Sequence, residues 1–95
     1  MKNISKSELE AWDEEKQEYI LVDVRELWER EVFHIGGSHI PLSELWERKD
    51  EIPHEIPVVV YCQKGIRSQV AIQRLQAIGY DNLYNLSGGI GKKLP

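Results

Sequence analysis

Short, unbroken apolar runs alternate along this chain with stretches in which apolar residues recur at helical spacing. Tyr19-Ile20-Leu21-Val22-Asp23-Val24 and Ile56-Pro57-Val58-Val59-Val60-Tyr61-Cys62 are rich in β-branched side chains and show no polar alternation, the pattern of strands covered on both faces. Both are predicted to be central strands of a parallel sheet. Ser5-Lys6-Ser7-Glu8 has capping-box spacing and predicts a helix running to about Lys16, with Leu9 and Trp12 inward and Glu10, Asp13, Glu14 and Glu15 in water. Glu26 to Val32 can form a short helix, which Gly36-Gly37 breaks before Ile40-Pro41 extends the backbone again. Ser43 is placed to cap a further helix through Leu45, Trp46 and Arg48, ending ahead of Pro53. In the stretch Arg67 to Ile78, Val70, Ala71, Arg74, Leu75 and Ile78 recur at helical spacing, and Gly79 stands where a helix stops. Leu83 to Leu86 reads as a last short strand, and the glycine-rich end carries Lys92-Lys93 as a solvated pair. Strands alternating with helices specify an α/β fold, a three-layer α/β/α sandwich with right-handed crossovers and a central, mainly parallel sheet of about five strands.

Composition narrows the function. The 95 residues are enough for one domain spanning 1–95, with 41% hydrophobic side chains to form its core. Twelve basic against 16 acidic residues leave a net charge of −4, which argues against a general nucleic-acid or anionic-membrane binder, so any anion site must be local. The apolar runs fall far short of the ~20 residues a membrane-spanning helix needs. One cysteine cannot form an internal disulfide, and Met1-Lys2-Asn3-Ile4-Ser5 lacks the apolar core of a signal peptide, so a cytoplasmic location is expected. A monomer is expected as well.

The sharpest chemical feature is Cys62-Gln63-Lys64-Gly65-Ile66-Arg67-Ser68: a cysteine ending a buried strand, a short loop, then the first turn of a helix. Backbone N–H groups in such a turn converge on one point, and the helix amino terminus adds positive potential. Lys64 and Arg67 bring two positive charges to a loop that holds no acid. A free thiol ionises near ~8.5, and a helix amino terminus with neighbouring cations lowers that by one to several units, making a nucleophilic thiolate available without a partner histidine. The bland alternative is an inert cysteine closing a buried strand. In α/β sheets working groups sit at the carboxyl ends of strands, where both Cys62 and Asp23-Val24-Arg25 lie.

These segments together resemble the single-domain rhodanese (thiosulfate sulfurtransferase-like) family over almost the whole chain. The resemblance is carried by Leu21-Val22-Asp23-Val24-Arg25, His34-Ile35-Gly36-Gly37-Ser38-His39-Ile40-Pro41, Val59-Val60-Tyr61 with the Cys62 to Ser68 loop, and Leu86-Ser87-Gly88-Gly89-Ile90. It departs from the family at Gly36, where proline is frequent, and after Ile90, where a tryptophan-bearing helix often follows. The resemblance implies a sulfurtransferase without cofactor or metal. Cys62 is then the catalytic residue, taking a sulfane sulfur as a persulfide, and Gln63, Lys64, Gly65, Ile66, Arg67 and Ser68 line the substrate pocket. Asp23 and Arg25 support the active-site side of the sheet without direct catalysis. The donor is a small anionic sulfur compound such as thiosulfate, or a persulfide or polysulfide; the acceptor is a thiol, cyanide or a thioredoxin-like protein. Four residues separate Cys62 from Arg67, where related cysteine phosphatases and arsenate reductases have five, a smaller ring that suits one sulfur atom.

Two rival readings stay open. One is a non-catalytic persulfide-carrier or partner-binding module of the same fold. The other is a cysteine phosphatase or arsenate reductase, disfavoured by the short ring and by the lack of an evident general acid for a leaving alcohol. His34, His39 and His54 have no metal-ligand spacing and read as loop or surface histidines. Trp12, Trp28 and Trp46 fall in amphipathic segments and are expected to pack on the core, with an edge position at the site as the alternative for Trp28 or Trp46. Gly88-Gly89 is too sparse a pattern for a nucleotide loop.

Overall fold

A computed structural model of the chain describes residues 1–91, so the expectation for Lys92-Lys93 falls outside the described residues. Five parallel strands, β1 (Lys2–Ile4), β2 (Ile20–Asp23), β3 (Ser38–His39), β4 (Val58–Tyr61) and β5 (Leu83–Leu86), form one sheet in the order β1-β5-β4-β2-β3. Four helices connect them: α1 (Lys6–Glu14), α2 (Leu27–Val32), α3 (Leu45–Arg48) and α4 (Arg67–Gln76). The register pairs Val22 with Val60 and Val60 with Asn85, which sets the carboxyl ends of the three central strands side by side. From β4 the chain passes to β5 on one side, and from β2 to β3 on the other. The crevice beyond β4 and β2 is therefore where strand order diverges, the position at which open α/β sheets bind ligands.

Alternation along β4 produces two cores. Val58, Val60 and Cys62 join Val22, Val24, Leu45, Ala71, Ile72 and Leu75 on the face covered by α3 and α4. Val59 and Tyr61 join Ile4, Leu86 and Ile90 on the other, where Leu9 and Trp12 of α1 pack. All four β4 residues are buried, as the continuous apolar run requires. The capping box forms as read: Ser5 Oγ accepts from Glu8 N at 3.1 Å and Glu8 Oε1 accepts from Ser5 N at 2.9 Å. Among the described residues no helix is long and apolar enough to cross a membrane.

Several local expectations need correction. The two edge strands β1 and β3 carry too few residues for periodicity to register; the extension foreseen at Ile40-Pro41 pairs two residues earlier, Ser38 with Val22 and His39 with Asp23. Ser43 caps nothing, because it lies inside a 3-10 turn, Leu42–Glu44, that leads straight into α3. The buried face of α4 runs through Ser68, Ala71, Ile72 and Leu75, leaving Arg74 and Ile78 exposed. Trp12 packs against Tyr19 and Tyr84 as expected. Trp28 and Trp46 do not reach the core: they are 67% and 65% exposed. With six residues, α2 buries none, and α3, with four, turns only Leu45 inward.

Candidate active site

The last buried residue of the β4 run is Cys62, and the chain turns there through a loop into α4. Gly65 makes the turn possible with φ of +88°, a left-handed conformation that side chains disfavour. A Cβ at that position would also lie 3.1 Å from Gly88 N. The result is a nest around sulfur: Gly65 N donates to Cys62 Sγ at 3.1 Å, Ser68 N at 3.4 Å, and Ser68 Oγ lies 3.4 Å away. Ser68 N belongs to the first turn of α4, whose free N–H groups carry the positive end of the helix dipole. Burial pushes the Cys62 thiol up, but the Ser68 hydroxyl and the amides of Ser68, Gly65 and Lys64 outweigh it and hold the thiol below its ordinary value. A thiolate here is therefore stabilised by hydrogen bonds, and among the described residues no carboxylate bonds Sγ.

The other loop residues divide by task. Lys64 and Ile66 are exposed, and Lys64 makes no ion pair among the described residues. Arg67 has an unanticipated acid facing it: Glu29 of α2 accepts from both terminal guanidinium nitrogens, at 2.6 and 2.8 Å. The bond from Arg67 holds the Glu29 carboxyl at about 2. The charge that sequence assigned to the thiol is thus shared with a carboxylate 38 positions away, and only Lys64 stays unneutralised. The side chain of Gln63 ties the loop to its neighbours. Its Oε1 accepts from Arg25 Nη1 at 3.0 Å and its Nε2 donates to the carbonyl of Gly91.

Asp23 and Arg25 lie behind Gln63, both buried. Arg25 donates to both Asp23 oxygens at 3.0 Å and to Phe33 O at 2.6 Å, and Arg30 reaches Asp23 Oδ2 at 3.3 Å. Burial disfavours the Asp23 carboxylate, yet the Arg25 bonds prevail and keep its carboxyl below the usual range.

Sequence reasoning assigned no role in this site to three residues that build it. Glu29 carried no signal, since nothing in one sequence links it to Arg67. Asn85 was visible as the lone polar residue in Leu83-Tyr84-Asn85-Leu86; it is buried, and its Oδ1 accepts from Ser68 Oγ at 2.5 Å. Gly89, φ +67°, presses on the loop so closely that a Cβ would sit 2.4 Å from Gln63 O and 2.5 Å from Cys62 O. Next to it, Ile90 N and Gly91 N donate to those two carbonyls at 3.0 Å. The histidines have separate local tasks: His34 Nδ1 accepts from Gly36 N, His39 Nε2 bonds Arg25 O, and His54 stacks on Tyr80.

Known proteins share the fold. The rhodanese-like domain model matches residues 5–92. The protein YqhL of Bacillus subtilis (strain 168), itself uncharacterized, is 44% identical, the alignment covering 97% of this chain and 71% of YqhL. The thiosulfate sulfurtransferase GlpE of Coxiella burnetii is 38% identical over 87% of this chain and 79% of its own. Among solved structures, a rhodanese-like domain protein from Staphylococcus aureus superposes with a TM-score of 0.88 at 27% identity, covering 95% of this chain and 88% of its own. A rhodanese-related protein from Thermoplasma volcanium gives 0.84 at 30%, covering 95% and 87%.

Proposed function

From the premise that this chain belongs to the rhodanese-like domain family, we propose that it is a sulfurtransferase carrying sulfane sulfur on Cys62. The observation that supports this most is the buried Sγ held by two backbone N–H donors, with the Ser68 hydroxyl beside it and no acid against it. Such a pocket favours a nucleophile whose negative charge must be held before and after it reacts.

The Cys62 thiolate attacks the outer sulfur of thiosulfate. A sulfur–sulfur bond forms, the bond within thiosulfate breaks, and sulfite leaves with the electron pair. With a persulfide donor the leaving group is a thiolate. In the second half, cyanide or a thiolate attacks the terminal sulfur of the Cys62 persulfide, the new bond forms on that sulfur, and Cys62 departs as thiolate. Because the chain has one cysteine, it has no resolving thiol of its own, and the acceptor is a second molecule. Lys64, exposed and unneutralised, attracts the anionic donor. Gly65 and Ser68 hold charge on sulfur, while Gln63 and the Asp23 and Arg25 pair fix the loop from behind without touching the reacting atoms.

Steady-state formation of thiocyanate from thiosulfate and cyanide tests the reading, with aryl phosphate hydrolysis measured alongside. Turnover of sulfur that is lost in Cys62→Ser, with no phosphate release, is the expected result. Phosphate release without thiocyanate would replace it by oxyanion hydrolysis, and neither product would favour a partner-binding module.

A further inference from the structure

Behind Ser68 runs a chain of two polar side chains, Asn85 and Asn3, that the reaction above does not use. Ser68 Oγ donates to Asn85 Oδ1 at 2.5 Å, and Asn85 Nδ2 donates to Asn3 Oδ1 at 3.2 Å on the neighbouring strand β1. Both Ser68 and Asn85 are buried, so each polar atom must find its partner inside the protein. A serine hydroxyl has one proton to give. When that proton goes to Asn85, the oxygen facing Cys62 can only accept, which suits a protonated thiol. A thiolate needs the same proton turned toward Sγ, and Ser68 Oγ must then accept from elsewhere. A half-turn of the Asn85 amide supplies the donor: Nδ2 faces Ser68, and Oδ1 faces Asn3. Asn3 can follow, since it lies exposed on an edge strand and its own amide makes only a 3.5 Å contact with Met1 O.

We propose that Asn85 is a positioning residue that acts on Cys62 through Ser68, its amide orientation setting whether the Ser68 hydroxyl proton points at the sulfur or away from it. No proton travels along the chain; the thiol proton goes to water, and the three side chains reorient around the charge left behind. The charged groups that bear on the sulfur are Arg67 of α4, balanced by Glu29 of α2, with the exposed Lys64 in the loop and the paired Asp23 and Arg25 behind Gln63. From β5 and β1 the chain of contacts brings the uncharged Asn85 and Asn3. The proposal rests on Cys62 being the reacting group, but its test does not require sulfur transfer.

The readout is ultraviolet thiolate absorbance against pH in the full chain, with Cys62→Ser subtracted for the tyrosines; the single cysteine makes the signal unambiguous. An aspartate at position 85 can only accept, so Asn85→Asp holds the Ser68 proton away from sulfur and is expected to raise the Cys62 midpoint by about one pH unit or more. Asn3→Asp, an exposed and fold-sparing change, fixes the Asn85 amide in the same sense and is expected to raise the midpoint by about half a unit. Each shift should shrink by more than half in a Ser68→Ala background, where only the direct effect of the added charge survives. Should Asn85→Asp fail to fold, Asn3→Asp decides alone. Shifts of equal size with and without the Ser68 hydroxyl, or no shift, would overturn the proposal. A shifted midpoint in a protein that takes up no sulfur would sustain it while refuting the sulfurtransferase reading.

Discussion

The carboxyl ends of β2 and β4 lie side by side in one sheet, and both bury polar groups, yet they do opposite things with charge. At the end of β2, Asp23 and Arg25 satisfy each other almost completely, with Arg30, Phe33 O and Gln63 taking the remaining positions. That cluster is closed: every side-chain nitrogen of Arg25 already donates within the protein. At the end of β4, Cys62 Sγ collects two backbone N–H donors beside the Ser68 hydroxyl with no formal counter-charge in contact, and the loop's guanidinium, Arg67, is held to Glu29. Buried charge that is paired fixes structure, while a buried sulfur surrounded by unpaired dipoles is ready to carry charge. Gln63 joins the two ends, so the rigid cluster anchors the reactive one.

The largest effect should come from opening the closed cluster. Asp23→Ala leaves the Arg25 guanidinium buried without its main partner and should cost about 3–5 kcal/mol in denaturant unfolding. A loss below about 1 kcal/mol would mean the cluster is not the rigid half of the comparison. Next comes Gly89→Ala, which drives a methyl into the carbonyls of Cys62 and Gln63. Displacing the nest by an ångström should lower sulfur transfer by about a hundredfold. The neighbouring Gly88→Ala meets nothing within 4 Å and carries only the left-handed strain of its φ of +75°, so its rate should stay near that of the parent. Equal losses in the two variants would show that backbone strain, and not contact with the loop, matters.

Acid sharpens the comparison further. The folded carboxyl of Glu29 titrates at about 2 against an ordinary 4.5, so its bond to Arg67 contributes stability in full above the ordinary value and loses it as pH falls toward 2. Asp23 acts with the same sign, since its folded carboxyl is also lowered. Unfolding midpoints should fall over that window, and less steeply in Glu29→Gln. An unchanged slope in the variant would remove the Arg67 bond from the account. The smallest effect belongs to the exposed cation: Lys64→Ala should weaken thiosulfate by no more than about fivefold and leave a neutral persulfide donor unaffected. Equal losses with both donors would rule out charge recognition by Lys64.

The strands at the centre of the sheet were legible because burial on both faces forces continuous apolar runs, as Val58 to Tyr61 show. Edge strands are not bound by that constraint. β1 and β3 have three and two residues and are fixed by pairing with β5 and β2, which no local pattern announces. The tryptophans misled for a related reason: helical spacing does not say whether a helix is long enough to bury its tryptophan, and α2 and α3 are not. At the site, the order of strand, loop, glycine and helix showed where the sulfur sits. What the loop side chains face was hidden, because Glu29, Gln63, Asn85 and Gly89 act through contacts between residues distant in sequence. Counting charges within the loop overstated the cations available to Cys62, and only the fold shows that one of them is neutralised.

The central claim, that the sulfur at the end of β4 takes up and releases a second sulfur, is tested most directly by intact mass under non-reducing conditions. The protein is incubated briefly with thiosulfate, weighed, treated with cyanide and weighed again, beside Cys62→Ser. The expected result is a gain of one sulfur atom in the parent alone, lost on adding cyanide as thiocyanate forms in equal amount. An unchanged mass after both thiosulfate and a persulfide donor, or the same gain in Cys62→Ser, would contradict it.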